Sequence, residues 1–174
     1  MASIISVTST TQIASVAHLA QTIWTDHYTP IIGGLQVDYM LAKYQSETAI
    51  SNQIKDGYHY YLIKNDIGYT GYFAFSLHKD FLFLSKFYIL KSMRGNGLGK
   101  LALSFIERKA SELRLPKIRL TVNKYNSKSI SAYEKMGFVN VDSIVQDIGN
   151  GYVMDDYVLE KNIVQKNLNN SNVA

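Results

Sequence analysis

The run Arg94-Gly95-Asn96-Gly97-Leu98-Gly99-Lys100 places three glycines and two cations between an apolar stretch and an amphipathic one. Glycines let a chain turn sharply and leave its amides unobstructed by a Cβ. Bare amides at the start of a helix, with cations beside them, suit phosphate oxygens. Two familiar phosphate loops do not fit. A Walker-type loop requires glycine at position 94 and Ser or Thr at 101, where Arg94 and Leu101 stand. A dinucleotide fingerprint requires a third glycine where Lys100 stands. A strand-to-helix turn that needs glycine only for shape would also use these residues.

A second constellation lies downstream in LTVNKYNSKSISAYEKMGF, residues 120–138. Asn126 is followed seven residues later by Tyr133, then by Lys135, Gly137 and Phe138. Taken with Arg94-x-x-Gly97-x-Gly99, this pair of blocks resembles the GNAT superfamily of acyl-CoA N-acyltransferases over residues 81–159. Ser129 stands where the family often has alanine. The opening IWTDHYTPIIGG and the ending GY…MDDY are also similar to the branch containing bacterial spermidine/spermine N-acetyltransferases.

The resemblance implies a three-layer α/β/α fold of the α+β class, with a mixed, mostly antiparallel sheet splayed at its central strands. It implies acetyl-CoA as co-substrate, a small-molecule or protein amine as acceptor, and direct attack of the amine in a ternary complex. Backbone groups of Phe87, Tyr88 and Ile89 would meet the pantetheine arm. Amides of Arg94, Gly95, Asn96, Gly97, Leu98, Gly99 and Lys100 would meet the diphosphate. Asn126 and Ser129 would touch the cofactor, and Tyr133 would protonate the departing thiolate. His27, Tyr28 and Tyr39 are candidate acceptor-pocket residues.

The attacking amine must lose a proton, so a base or a water chain is required. Many family members place a glutamate on the central strand, but residues 81–90 contain no acid. Asp155 and Asp156 lie in a predicted strand, where aspartate is disfavoured. Alternation points them to opposite faces, so one can reach the acceptor while the other is solvated or paired. A purely structural role is equally open for either.

The charge distribution agrees with a polyanionic ligand. Residues 86–135 hold 12 of the 18 Lys+Arg and 3 of the 14 Asp+Glu, a balance of +9. The remainder balances at −5, which suits a cationic amine acceptor, and the branch resemblance implies a polyamine or other small cationic amine. Two other classes stay open: an acyl-CoA sensor without turnover, and a nucleic-acid-binding domain using the basic region. Tyr133 and Asn126 favour an enzyme. For nucleic acid, only Phe87-Tyr88 beside Lys86 hints at base stacking.

The absence of cysteine excludes disulfides, thiolate metal sites and cysteine nucleophiles. Four scattered histidines lack metal-ligand spacing, and no metal is expected. No apolar run reaches membrane-spanning length and no signal peptide is visible, so a cytoplasmic protein is expected. A homodimer is compatible with all of this.

The elements that must position these residues follow from periodicity. A strand at 4–7 and a Thr/Ser cap at 8–11 lead into a helix that His27-Tyr28-Thr29-Pro30 and Gly33-Gly34 should break. Two helical pieces follow, at 37–44 and from Ser46 to Ile54. Strands are expected at 58–64, 69–77 and 81–90, then a helix beginning near Leu98. A strand at 117–122 buries Ile118, Leu120 and Val122, and a helix at 127–136 stops at Gly137. Gly149-Asn150-Gly151 joins two last strands as a hairpin. One domain spans residues 1–162, and 163–174 reads as a frayed tail.

Overall fold

The computed structural model of the protein describes residues 1–165. Its elements run β1 (Ser3–Ser6), α1 (Thr10–Ile32), α2 (Gly34–Tyr44), α3 (Glu47–Lys55), β2 (His59–Asn65), β3 (Gly68–Leu77) and β4 (Leu82–Ile89). After a 3-10 turn at Lys91–Met93 come α4 (Leu98–Glu112), β5 (Lys117–Asn123), α5 (Ser127–Lys135), β6 (Val139–Gly149) and β7 (Tyr152–Asn162). The strands form one sheet in the order β1-β2-β3-β4-β5-β7-β6. Every neighbouring pair is antiparallel except β4 and β5.

Helices cover both faces, which gives the expected α/β/α layering. On one face, Val16, Ala20, Ile23 and Trp24 of α1 pack with Tyr60, Leu62, Tyr72 and Ala74 of β2 and β3. On the other, Leu98, Ala102 and Ile106 of α4 cover Ile63, Phe73, Leu82 and Leu84, with Ile130 and Tyr133 of α5 beside them. Strand β5 alternates as read, with Ile118, Leu120 and Val122 buried.

Helix α1 begins with a reciprocal cap. The Gln12 amide donates to Ser9 Oγ at 3.2 Å, and the Ser9 amide donates to Gln12 Oε1 at 3.0 Å. The expected break at residues 27–30 does not occur: α1 runs through Pro30 and stops only at Gly33, whose φ is 85°. Proline removes just the bond to the Asp26 carbonyl. Asp26 is exposed, so water can take that carbonyl, and the Gly33 amide resumes the pattern by donating to Thr29 O at 3.0 Å.

At the other end, Asn150 and Gly151 form a two-residue turn with φ of 55° and 76°, the left-handed pair a twisted hairpin requires. The expected tail falls mostly outside the described residues. Its first residues are tied down, the Ile163 amide donating to Pro116 O at 2.8 Å and Gln165 Nε2 to Leu115 O at 3.0 Å.

Strands β3 and β4 approach closely at Gly71. A Cβ there would lie 2.5 Å from Tyr88 O and 3.2 Å from Ile89 Cα. Gly71→Ala must therefore separate the strands, and we expect a loss of about 1–3 kcal/mol, as for other overpacked sites. Thermal melting should show a drop of several degrees. An unchanged melting temperature would mean that the two strands part freely.

Candidate active site

The site begins with one surplus residue. Ala74 and Phe75 are adjacent on β3, yet they face Lys86 and Leu84 on β4, so Ser85 has no partner. This bulge resets the alternation of β4. Before it, Leu82 and Leu84 face α4; after it, Phe87 and Ile89 do. Lys86, Tyr88 and Leu90 are thereby turned to the α1 side, where Tyr88 and Leu90 join the other core. The Ser85 hydroxyl donates to Ala74 O at 3.2 Å and holds the bulge.

Beside the bulge the sheet opens. Strands β4 and β5 pair at only two positions, Leu82 with Ile118 and Phe83 with Arg119. Past Phe83 they diverge. The segment 86–89 keeps β3 on one edge, while its outward backbone groups face a gap instead of β5. This is the splay anticipated from the sequence, and it exposes the backbone of Phe87, Tyr88 and Ile89.

At the C-terminal end of β4 the glycine run forms a bare helix start. Gly95 and Gly97 have φ of 79° and 76°, and Gly97 is the N-cap of α4 with no side-chain cap. The first bond in α4 runs from the Leu101 amide to Gly97 O, so the amides of Leu98, Gly99 and Lys100 have no acceptor within the helix. The Leu98 side chain is buried and contributes only its backbone. Arg94 Nε donates to Ile89 O at 3.2 Å, tying the exposed guanidinium to the end of β4. A hollow of about 330 Å³ borders this loop, lined by His27, Lys91, Arg94, Asn126 and Lys128 among others. Bare amides, cations and an open strand edge fit a long ligand with a phosphate group and an amide-containing arm.

Asn126 ties α5 to α1 across the opening. It is 3% exposed, its Oδ1 receives the Ser129 amide at 3.4 Å, and it lies 3.1 Å from His27 Nε2. Ser129 is thus met through its amide at the start of α5. Burial lowers the pKa of His27 and outweighs the Asn126 hydrogen bond, and Arg94 and Lys128 lower it further. Tyr133 projects from α5 against Phe87 and Phe138, with ring centroids 6.2 and 5.6 Å away. Burial raises its phenol pKa, and nearby Tyr28 adds to the rise.

On the α1 side of the gap lies a second cavity of about 430 Å³. Its walls include Trp24 and Tyr28 of α1, Ser85, Lys86 and Tyr88 of β4, Thr121 of β5, and Met154 and Asp156 of β7. Tyr28 and Tyr88 share a hydrogen bond of 3.1 Å between hydroxyls, and burial raises the pKa of both. The two aspartates separate as alternation requires. Asp155 pairs with Lys124 at 2.6 Å, whereas Asp156 is 4% exposed and its Oδ1 has no hydrogen-bond partner. Burial raises the pKa of Asp156 to about 6, with Asp155 adding to the rise and Thr121 and Lys124 opposing it.

Tyr28 lines this cavity and His27 lines the hollow beside the glycine loop. Tyr39 lines neither: its hydroxyl donates to Ile148 O at 2.7 Å and fastens α2 to the β6–β7 hairpin. Phe87 and Tyr88, the aromatic pair considered for base stacking, are packed inside against Phe73 and Trp24 respectively. Sequence reasoning missed Lys86 as a site residue. Its signal was a charge inside the otherwise apolar run LFLSKFYIL.

Comparison with known proteins agrees with this geometry. Residues 18–138 match the model of the Acetyltransferase (GNAT) family. An uncharacterized N-acetyltransferase, YdgE of Bacillus subtilis, is 31% identical over 104 residues, which span 54% of this chain and 66% of that relative. The PaiA N-acetyltransferase of Thermoplasma acidophilum, solved with coenzyme A, superposes with a TM-score of 0.80 at 19% identity, over 93% of this chain and 99% of that one. The ribosomal-protein-S18-alanine N-acetyltransferase of Escherichia coli superposes with a TM-score of 0.70 at 16% identity, over 97% and 98%. At these identities the structural likeness speaks for the fold alone, while the family match rests on the sequence itself: with its parted central strands and glycine-capped helix, the chain belongs to the GNAT acetyltransferase family.

Proposed function

We propose that the chain is an acetyl-CoA-dependent N-acetyltransferase whose acceptor is a primary amine, attacked upon directly in a ternary complex. The observation that carries this reading is the gap between β4 and β5. It joins a bare-amide loop at one end to a cavity holding a poised carboxylate on the α1 side. The amides of Leu98, Gly99 and Lys100 would hold the diphosphate, and the open edge at 86–89 the pantetheine arm. Bound there, acetyl-CoA supplies an activated acyl group.

Asp156 attracts the acceptor's ammonium and takes one proton from it, so that the neutral amine attacks the acyl carbon, and the second proton, made acidic by the new C–N bond, then leaves to solvent. With a pKa of about 6, the carboxylate is ionised at neutral pH and ready to act as acceptor. Tyr133, kept protonated by burial, donates to the departing thiolate. The aromatic faces of Trp24, Tyr28 and Tyr88 suit a cationic amine. Taken without Lys86, Asp156 and these rings suit a small cationic amine, polyamines included. We also read residues 1–162 as one working unit.

An amine screen and three sets of substitutions test this reading. Release of thiol from acetyl-CoA across a broad amine panel should reveal turnover. A Cβ at Gly97 meets no protein atom within 4 Å, so Gly97→Val should obstruct the ligand while straining a backbone with φ of 76°. It should weaken acetyl-CoA binding about tenfold or more by calorimetry, whereas Lys109→Ala should not. Equal affinity in Gly97→Val would remove the phosphate-loop reading.

The second concerns Asp156. The base works when deprotonated, so kcat/KM should rise with pH through about 6 and then level. Asp156→Asn should abolish that limb and lower kcat by about 10²–10⁴-fold, with acetyl-CoA affinity retained. Asp155→Asn, which only frees Lys124, should keep the limb. If both variants match the parent protein, the pair is structural.

The third concerns Tyr133. Tyr133→Phe keeps the ring against Phe87 and Phe138 and removes only the donor. A fall in kcat of about 10²–10⁴-fold, at unchanged melting temperature and cofactor affinity, is expected. Parent-like turnover, where chemistry limits the rate, would return Tyr133 to a packing role.

A further inference from the structure

The acceptor cavity holds a second charged group that acetyl transfer does not use. Lys86 follows the Ser85 bulge directly, and its side chain lines the same wall as Tyr88. Without the bulge, alternation would send it to the side of Leu82 and Leu84, into the core beneath α4. Among the described residues, Lys86 lies within ion-pair distance of no carboxylate, although Lys117, Arg119, Lys124 and Lys161 each have one. Among the described residues its ammonium donates only to its neighbour's carbonyl, Ser85 O, at 3.2 Å. Burial brings its pKa down to about 8, so it is still mostly cationic at neutral pH.

Such a charge is costly to hold without a partner. An apolar side chain at position 86 would pack there at no such cost. From β7, Asp156 lines the same cavity, and its Oδ1 is buried with no hydrogen-bond partner among the described residues. The two opposite charges line one volume of about 430 Å³ and do not neutralise each other. A ligand that satisfies both must carry an ammonium and an anion on one small skeleton. A diamine or polyamine would satisfy Asp156 and set its second ammonium against Lys86.

Resting on the acetyl-transfer reading, we propose that the acceptor is a small zwitterion, an amino acid or similar amine bearing a carboxylate, with its amine at Asp156 and its anionic group at Lys86. Lys86 is then a specificity residue, made available by one inserted strand residue. The alternative use of a lysine with a lowered pKa is as the base itself, and the two roles differ in what they predict.

The test uses matched acceptors: glycine, β-alanine, 4-aminobutyrate and lysine against methylamine, ethylamine, propylamine and cadaverine, together with spermidine. Thiol release from acetyl-CoA gives turnover, and calorimetry with coenzyme A present gives acceptor binding apart from chemistry. At least one amino acid should exceed its decarboxylated partner in kcat/KM, by KM more than by kcat. Lys86→Gln should cut that preference about 10–100-fold, the span of one charge-assisted hydrogen bond, and Lys86→Arg should restore part of it. Amines or spermidine turned over as well as any amino acid would overturn the proposal. So would an equal kcat loss for charged and plain acceptors in Lys86→Gln, which marks a base. Binding of an amino acid that depends on Lys86, without turnover, would uphold the zwitterion site and sink acetyl transfer. Failure of every amino acid to bind would overturn the zwitterion site whatever the plain amines do.

Discussion

Ser85 has no partner across the sheet, and the side to which Lys86, Tyr88 and Leu90 turn depends on it. Parallel strands normally continue their ladder, since an unpaired backbone group away from water is costly. Here the ladder between β4 and β5 stops after two pairs, immediately before the bulge. The bulge adds local twist and turns β4 away from β5. What keeps β4 in place is its other edge, where pairing with β3 runs from Leu77–Leu82 to Gly71–Ile89. The missing side chain at Gly71 allows that close approach. Aromatic rings then brace both faces, with Phe87 against Phe73 and Tyr88 against Trp24, Tyr28 and Tyr72. The gap is a stable defect because everything around it is tightly paired.

The same environment sets the charge states within the cavity. Burial raises the pKa of Tyr28, Tyr72 and Tyr88, so these rings present neutral hydroxyls at neutral pH. It raises Asp156 to about 6 and lowers Lys86 to about 8, leaving each ionised in a window around neutrality. Asp155, one residue from Asp156, is delivered by strand alternation to Lys124 on the other face. Two adjacent aspartates thus acquire different chemistry from the pleat of β7 alone.

Much of this architecture was readable in the sequence. The hydrophobic periods placed the helices and strands, the paired glycine turns located the phosphate loop and the last hairpin, and strand alternation separated Asp155 from Asp156. Three features were not readable, each for a physical reason. Pro30 signals a break, but the carbonyl it orphans is on the exposed side of α1, so the helix tolerates it. Tyr39 shares the composition of a pocket aromatic, but its hydroxyl is held by Ile148 O, over a hundred residues away in sequence. The bulge is invisible because LFLSKFYIL reads as one apolar strand. Only the pairing with β3 reveals that Ser85 is surplus and that Lys86 therefore faces the cavity.

These differences follow from how each ligand would be recognised. On the proposed reading a diphosphate would be met by backbone amides, and an amide backbone can be bared at a helix start only by particular residues at particular spacings. Glycine at 95 and 97 satisfies positive φ, and the requirement is local, so it leaves a mark in the sequence. On the proposed reading the acceptor would be met by side chains from α1, β4, β5 and β7, which are brought together only by the sheet. No short motif can encode that meeting. A change at position 85 or 86 would redirect the acceptor face of β4 while leaving Arg94-x-x-Gly97-x-Gly99 intact. Cofactor recognition and acceptor recognition are therefore separable in this fold, the one written into a loop and the other into the register of two strands.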